Sequence, residues 1–538
     1  MAPTNSQPVP APVRRAALLN TAVVAGGYLL SRVLGLVREA IYANQFGTSP
    51  EMSAFRAAFT IPDLVYLVVA GGALGSAFIP VFAGFLTKEQ EHEAWQLFNA
   101  TFNLMCASVV GVSLLVVLFA DPLVAWSIGS GFPDDLRVLT ANLVRLLMVQ
   151  VFLLGIVGLG KATLETFDRF TVPVIGALVY NLGIIAGALV LGPRIGVYGL
   201  AVGVIGGALL FALVQLPGLF ASGWRYAPVL SLRVPGLPEV AKLLGPRLFG
   251  QAALQLNIIA IFSFATQIGP EIPAANNVGY QLMLLPYGII ALSLGTVIFP
   301  QLTRLFAANQ RDEARQVAIS ALRMILFLGI PAAVALAALR IPIIQVLFQH
   351  GKFGADSTRL SAEGLLWYAL GLPAFAASEI AVRTFYANRN TRTPVLVGVA
   401  AVVLNITLAW LGVQLGLGLA GLAAAFSIVN IVECVLLLLL LRGPLGGLKG
   451  FVGALSRIVL AASAFGAVLV ALVRASGAIL PFLADADMFV WQRDVVPLAL
   501  WLGTSVIVSG ALYGGLAVLL RLPEAAALVG RIRRLIQR

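Results

Sequence analysis

The ten residues Ser31–Ala40, SRVLGLVREA, set Arg32, Arg38 and Glu39 into a stretch that is apolar on both sides. A charge at the centre of a bilayer costs at least about 2.5 kcal/mol, so such side chains face a bundle interior or a water-filled cavity. The next apolar stretch adds Arg56 and Asp63. Arg32 and Glu39 are seven residues apart, as are Arg56 and Asp63, which puts each pair near one helix face two turns apart. The chemistry on offer is recognition of a charged ligand. Gly35, between the two arginines, weakens its helix locally and lets it bend. The plainer alternative is that these charges pair with one another across the first two helices and hold them together. Arg145, Glu165, Arg323, Glu363, Glu379, Arg383 and Glu433 also fall in or at the ends of apolar stretches, and Arg323 and Arg383 are expected to snorkel to the interface.

The elements that must position these residues are membrane helices. Of the 538 residues 60% are hydrophobic and 11% charged, far from the soluble average. Spans of about 20 apolar residues fit near 18–46, 52–86, 95–120, 136–166, 172–192, 197–222, 240–268, 274–306, 314–346, 358–387, 394–414, 419–441, 452–475 and 496–520. That gives an all-α polytopic membrane protein of about fourteen helices. The Pro-rich segment 1–17 reads as a disordered tail, not a removable signal peptide. With Arg14 and Arg15 cytoplasmic, most Lys and Arg of the connecting loops and of the basic tail 521–538 fall on the same side, which puts both termini in the cytoplasm. This bias accounts for the net charge of +12 without nucleic acid, and the tail's RIRRLIQR suits lipid headgroups. Cys106 and Cys434 lie in separate spans and read as buried free thiols.

An internal repeat runs through the chain. LGSAFIP, Leu74–Pro80, aligns with LGTVIFP, Leu294–Pro300, at an offset of 220 residues. The register holds for Glu93 with Glu313, Pro122 with Pro342 and Gly131 with Gly351, and drifts by one or two at Asp168–Val174 against Asn388–Val395. Six spans fit one copy, so both copies enter the membrane in the same direction and form two lobes around a central cavity. The expected division is 18–222 for the N-lobe, 223–441 for the C-lobe and 442–520 for two added helices.

Enzyme signatures are weak. GLGLAG, Gly416–Gly421, fits a dinucleotide fingerprint letter for letter, but it joins two apolar spans with no strand before it. LGKAT, Leu159–Thr163, lacks the glycine spacing of a phosphate loop. The only histidines, His92 and His350, are assigned to opposite sides of the membrane, so no His-based triad or multi-His metal site can be built. No cofactor or metal is expected.

SRVLGLVREAIYANQFG, followed by FRAAFTIPDLVYLVVAGGALGSAFIPVF and then LSLGTVIFPQL, VLFQHGKF and FYANRNTRTPV, resembles the MurJ (MviN) lipid II flippases of the multidrug/oligosaccharidyl-lipid/polysaccharide exporter superfamily. The likeness covers nearly the whole chain. It implies two six-helix lobes plus two C-terminal helices that form a groove for a polyprenyl tail. The implied cargo is undecaprenyl-diphosphate carrying the peptidoglycan disaccharide-pentapeptide, moved across the bacterial cytoplasmic membrane. The implied partners are that lipid, membrane lipids and other cell-wall synthesis proteins, with no nucleic acid. Arginine forks match phosphate oxygens. Arg32 and Arg38 occupy the family's first-helix arginine positions, and Glu39 replaces its usual aspartate.

The departures from that pattern are specific. Many members carry K-x-P-N-x-x-R in the second helix, continuing to E-G-A, where this chain has Thr60, Pro62, Asp63, Tyr66 and Gly71-Gly72-Ala73. The usual arginine and glutamate before Pro286 are Gln281 and Leu284, and Ser53 stands at an acidic position. Two typical cavity cations are therefore absent, and Arg56 is the candidate to supply part of that charge. Arg32, Arg38 and Arg56 are the expected substrate-binding residues; Ser31, Gly35, Glu39, Asp63, Tyr66 and Gln281 are the expected cavity or gating residues. A flippase for another polyprenyl-diphosphate glycan, a drug exporter of the same fold, a membrane scaffold and an integral-membrane glycan polymerase remain as alternatives. A polymerase would need a carboxylate poised in a large outer loop; the expected outer loops are short, and Asp485, Asp487 and Asp494 in the longest lack a recognisable catalytic setting.

Overall fold

The computed structural model describes residues 11–70, 72–445, 447 and 450–525, with the backbone alone at 11–25, 28, 70, 72–76 and 245–254. Arg14 and Arg15 therefore lie outside the described side chains, and the tail segment RIRRLIQR lies outside the described residues altogether.

The described residues are helical almost throughout, without a strand. In chain order the helices are α1 Ala11–Phe46, α2 Pro50–Ala58, α3 Thr60–Val65, α4 Gly72–Leu86, α5 Glu91–Leu118, α6 Ala120–Trp126, α7 Asp134–Thr166, α8 Thr171–Val190, α9 Gly192–Ile195 and α10 Val197–Phe220. They continue with α11 Leu237–Ile268, α12 Ile272–Tyr287, α13 Ser293–Ala307, α14 Arg311–Ala338, α15 Arg340–Phe348, α16 Ala355–Ala387, α17 Arg392–Gln414, α18 Gly418–Leu445, α19 Phe451–Ser476 and α20 Trp491–Leu519. Twelve helical stretches among the described residues are long and apolar enough to cross a membrane, and α1 and α11, of 36 and 32 residues, bring the set to fourteen.

Three spans expected as single helices are broken. The second is interrupted at Phe59 and again by a π-helical turn at Tyr66–Ala70; the eighth carries the same device at Gly288–Leu292. The span expected over 314–346 ends at Ala338, and α15 starts afresh at Arg340. The first helix begins at Ala11, seven residues before the expected start.

The repeat is written into these boundaries. α5 and α14 match end to end, from Glu91 and Arg311 to Leu118 and Ala338, an offset of 220 at both ends. The turns before them each hold a non-glycine residue with positive φ, Glu89 at 60° and Asn309 at 57°. Asp168 at 57° and Arg389 at 58° repeat the pattern 221 residues apart, and the two π-helical turns start 222 apart. An extra residue in the helical ladder has thus been kept at the same place in both copies, where such bulges often mark functional sites.

By their contacts the residues form two compact units, one of 1–45, 57–128 and 133–256, the other of 46–56, 129–132 and 257–538. In the first unit, Phe78, Phe82 and Phe98 are buried and extend through Trp95, Phe167 and Trp224 in ring contacts of 5.0–6.2 Å. Asn99 accepts from Trp224 Nε1 at 3.0 Å, and Asn103 donates to the carbonyls of Ala227 and Val229, so the α10–α11 connection is pinned to α5. α8 and α10 approach through glycines: a Cβ at Gly187 would stand 2.3 Å from Gly203 Cα, and one at Gly183 2.6 Å from Gly207 Cα. Small residues let membrane helices touch backbone to backbone. Gly187→Leu should therefore cost about 1–3 kcal/mol or more through overpacking, read as a lower thermal midpoint of the purified protein. Gly206→Leu, where a Cβ meets nothing within 4 Å, is the matched control and should leave the midpoint unchanged.

In the second unit, α14, α19 and α20 share a core of Phe327, Ile458, Phe465, Leu469 and Tyr513, joined by Leu522 and Ala525 beyond α20. The tail expected from residue 521 is therefore docked at its start. GLGLAG is the turn between α17 and α18: Gly416 and Gly418 have φ of 68° and 58°, and a Cβ at Gly421 would lie 3.1 Å from Gly412 Cα. Turn geometry and close packing account for those glycines without a nucleotide.

Candidate functional site

Ser31 and Arg38 are seven residues apart on α1 and meet the same residue of α8. Asn181 Nδ2 donates to Ser31 Oγ at 3.1 Å, while Arg38 Nη1 approaches Asn181 Oδ1 at 3.5 Å. Asn181 is itself held by a second bond to the Ala177 carbonyl at 3.0 Å. The guanidinium also turns its Nε and Nη2 toward one oxygen of Glu39, at 3.3 and 2.9 Å. Arg38 is about one quarter exposed and Glu39 is buried. The fork is thus oriented by a neutral carboxamide and a carboxylate from its own helix. Such a charge-assisted arrangement fixes the direction from which an anion is met.

Arg32, six residues from Arg38, is turned about 120° around the helix. It is exposed and has no ion pair among the described residues. A Cβ at Gly35 would meet nothing within 4 Å, so α1 borders open space between the two arginines. In the same unit Asp63 is exposed, without an ion-pair partner among the described residues, and Tyr66 opens the π-helical turn half-buried. The anticipated cross-helix pairing does not hold Arg38, whose ion pair is with its neighbour in sequence.

Arg56 and Gln281 belong to the second unit. Arg56 is half-buried in the last turn of α2, and Gln281 donates to Asn277 at 3.2 Å within α12. Ser53, at the position where the family is usually acidic, is buried, and its Oγ accepts the Ala274 N–H at 3.1 Å. A hydroxyl there satisfies the start of α12. Thr48 and Ser357 share a hydrogen bond of 2.7 Å in the same unit.

Both arginines expected to snorkel hold a carboxylate. Arg383 pairs with Glu379 at 2.7 Å, one turn deeper in α16, and Tyr287 donates to the same carboxylate at 3.1 Å. Arg323 pairs with buried Glu524 at 2.7 Å. Glu379 stands four residues before Arg383 and is a local pattern, whereas Glu524 is remote in sequence from Arg323.

The carboxylates at and after the α19–α20 connection are occupied. Asp485 accepts from Arg359 at 3.1 Å, and Asp487 pairs with the same guanidinium. Gln345 on α15 and Gln349 just past its end donate to the carbonyls of Phe482 and Ala486 at 3.1 and 2.7 Å. Asp494 is buried, accepts from the Val490 N–H at 2.9 Å and pairs with Arg493 at 2.7 Å. They clamp the α19–α20 connection and are not arranged as a general acid or base. Cys106 and Cys434 are free thiols.

Asn181 is the residue that the sequence argument missed. Its signal was a lone carboxamide inside the apolar run GALVYNLGIIAG.

Residues 42–484 match the family model described as lipid II flippase MurJ. The chain is 30% identical over 427 residues to the lipid II flippase MurJ of Burkholderia cenocepacia, covering 78% of this chain and 82% of that protein. It is 29% identical over 418 residues to the probable lipid II flippase MurJ of Vibrio cholerae, covering 75% and 80%. Among solved structures, a lipid II flippase MurJ in an inward closed conformation superposes with a TM-score of 0.75 at 21% identity, over 91% of this chain and 98% of that one. An inward-facing multidrug resistance MATE family transporter of the MOP superfamily superposes at 0.67 and 15% identity, over 80% and 95%. At those identities the structural likenesses establish a fold, that of the exporter superfamily. The family model spans most of the chain, and the chain belongs to the lipid II flippase MurJ family.

Proposed function

We propose that this protein flips lipid II, the undecaprenyl-diphosphate-linked peptidoglycan precursor, from the inner to the outer leaflet of the bacterial cytoplasmic membrane. Family membership over 42–484 is the observation that carries the proposal. The protein is a transporter and not an enzyme. A diphosphate with a sugar-peptide head cannot cross hydrocarbon unaided. Arg38, oriented by Asn181 and Glu39, is the cation we assign to the diphosphate; Arg32 is the second. Arg56 is assigned part of the charge that Tyr66 and Gln281 do not supply. The duplicated helices suit alternating access, and the Lys and Arg bias of the loops supports cytoplasmic termini.

The test is the leaflet distribution of lipid II in cells depleted of this protein, read by an impermeant enzyme that cleaves only outer-leaflet lipid II. Cleavage should fall and intact lipid II should accumulate inside. Unchanged cleavage under full depletion would transfer the assignment to another polyprenyl-diphosphate glycan or to a drug.

A further inference from the structure

A second polar site lies wholly within the second unit, remote in sequence from the α1 arginines. It is a hollow of about 250 Å³ among α11, α12, α16, α17 and α18. Four carboxamides line it, Asn257, Asn276, Asn277 and Asn405, and none of its lining residues is charged. Asn405 Nδ2 donates to Asn257 Oδ1 at 2.9 Å, and Tyr368 donates to Asn276 Oδ1 at 2.7 Å. Its wall includes Tyr280, Tyr368 and Phe426, packed edge to face at 5.3–5.7 Å.

Polar groups that only glue helices together are normally all paired, because each unpaired buried acceptor is costly. Asn405 is 5% exposed, yet its Oδ1 has no partner among the described residues. This acceptor belongs to the lining of a hollow large enough to hold a ligand. The chemistry of the lining selects what would fit: neutral donors and acceptors around aromatic faces suit an uncharged ring bearing hydroxyl and amide groups. The volume is below the roughly 300 Å³ at which sites for drug-sized ligands begin. It therefore takes one ring, not a disaccharide-pentapeptide.

We propose that this pocket is a subsite for one N-acetylated sugar ring of the cargo headgroup, with Asn405 accepting from the ring's amide or hydroxyl and the aromatic residues covering its face. This assignment rests on the lipid II reading. It gives the second unit a share in cargo selection that the phosphate-seeking arginines, blind to the sugar, do not provide.

The test uses the purified full-length protein in nanodiscs and two probes, lipid II and undecaprenyl diphosphate, which share the tail and diphosphate but differ in the head. Wild-type protein should bind lipid II more tightly. Asn405→Leu removes the acceptor. Ile261→Phe narrows the hollow without removing a hydrogen bond and decides the matter if Asn405→Leu fails to fold. Each folded variant should lose about tenfold in lipid II affinity, the scale of one buried acceptor left unused, with undecaprenyl diphosphate affinity unchanged. Folded variants that keep the wild-type preference for lipid II overturn the subsite and leave it a water-filled hollow. So does a preference that disappears when sodium is replaced by choline, which would make the pocket a cation site. If wild-type protein shows no preference for lipid II, the lipid II reading falls first.

Discussion

Arg38→Ala should abolish lipid II export while the protein still reaches the membrane at wild-type levels. The residue is held by Asn181 at 3.5 Å and by Glu39 at 2.9 Å, so its direction is set before any ligand arrives. Removing one partner of a desolvated, hydrogen-bonded charge pair costs about 2–5 kcal/mol, or roughly 30-fold to several-thousand-fold in affinity. Arg38→Lys keeps the charge and loses the fork, and partial transport is expected. Asn181→Leu keeps the guanidinium and removes one of the groups that orient it, and should cost about tenfold. Truncating Arg38 also takes an ion-pair partner from buried Glu39, a cost that falls on the protein and not on the cargo. Arg38→Ala combined with Glu39→Gln separates the two effects: restored transport in the double variant would trace the defect to the change at Glu39, and continued loss would trace it to the cargo. Wild-type flipping by well-inserted Arg38→Ala protein would remove Arg38 from the site.

The parts of this architecture that were legible in the sequence are those governed by short-range rules. Apolar runs of bilayer length located the spans, and the repeat of LGSAFIP in LGTVIFP fixed an offset that the ends of α5 and α14 reproduce residue for residue. The π-helical turns at Tyr66 and Gly288 were not legible, because an inserted residue leaves hydropathy unchanged and alters only the hydrogen-bond ladder. Asn181 and the hollow around Asn405 were missed for a related reason. A single carboxamide in an apolar span costs too little to stand out beside an arginine, and its importance comes from partners 143 and 148 residues away in sequence. The carboxylate partner of Arg383, Glu379, is one turn away in sequence, whereas that of Arg323, Glu524, lies beyond the last span and was not legible from the residues around it.

The Arg323–Glu524 pair should hold the C-terminal segment to the second unit. Arg323 lies on α14, and Glu524 follows Leu522 in the short segment that packs with Phe327, Ile458 and Tyr513. Nε and Oε1 are 2.7 Å apart, with the side chains 22% and 6% exposed. Two charges taken out of water repay their desolvation only through each other, so removing either one leaves the other stranded at a cost of about 3–5 kcal/mol. Glu524→Ala and Arg323→Ala should each lower the thermal midpoint of the purified protein sharply. Replacing both charges by apolar residues of similar size, Arg323→Met with Glu524→Leu, removes the desolvation cost together with the attraction, and should return stability to within about 1 kcal/mol of wild type. Neither Arg323 Nε, whose approach to Oε1 is an ion contact without hydrogen-bond geometry, nor the buried Oε2 of Glu524 has a hydrogen-bond partner among the described residues, which strengthens that expectation, since the double replacement also eliminates two unsatisfied groups. Single losses that simply add in the double variant would mean that the two side chains contribute independently, and that their ion pair is not what holds the docked segment.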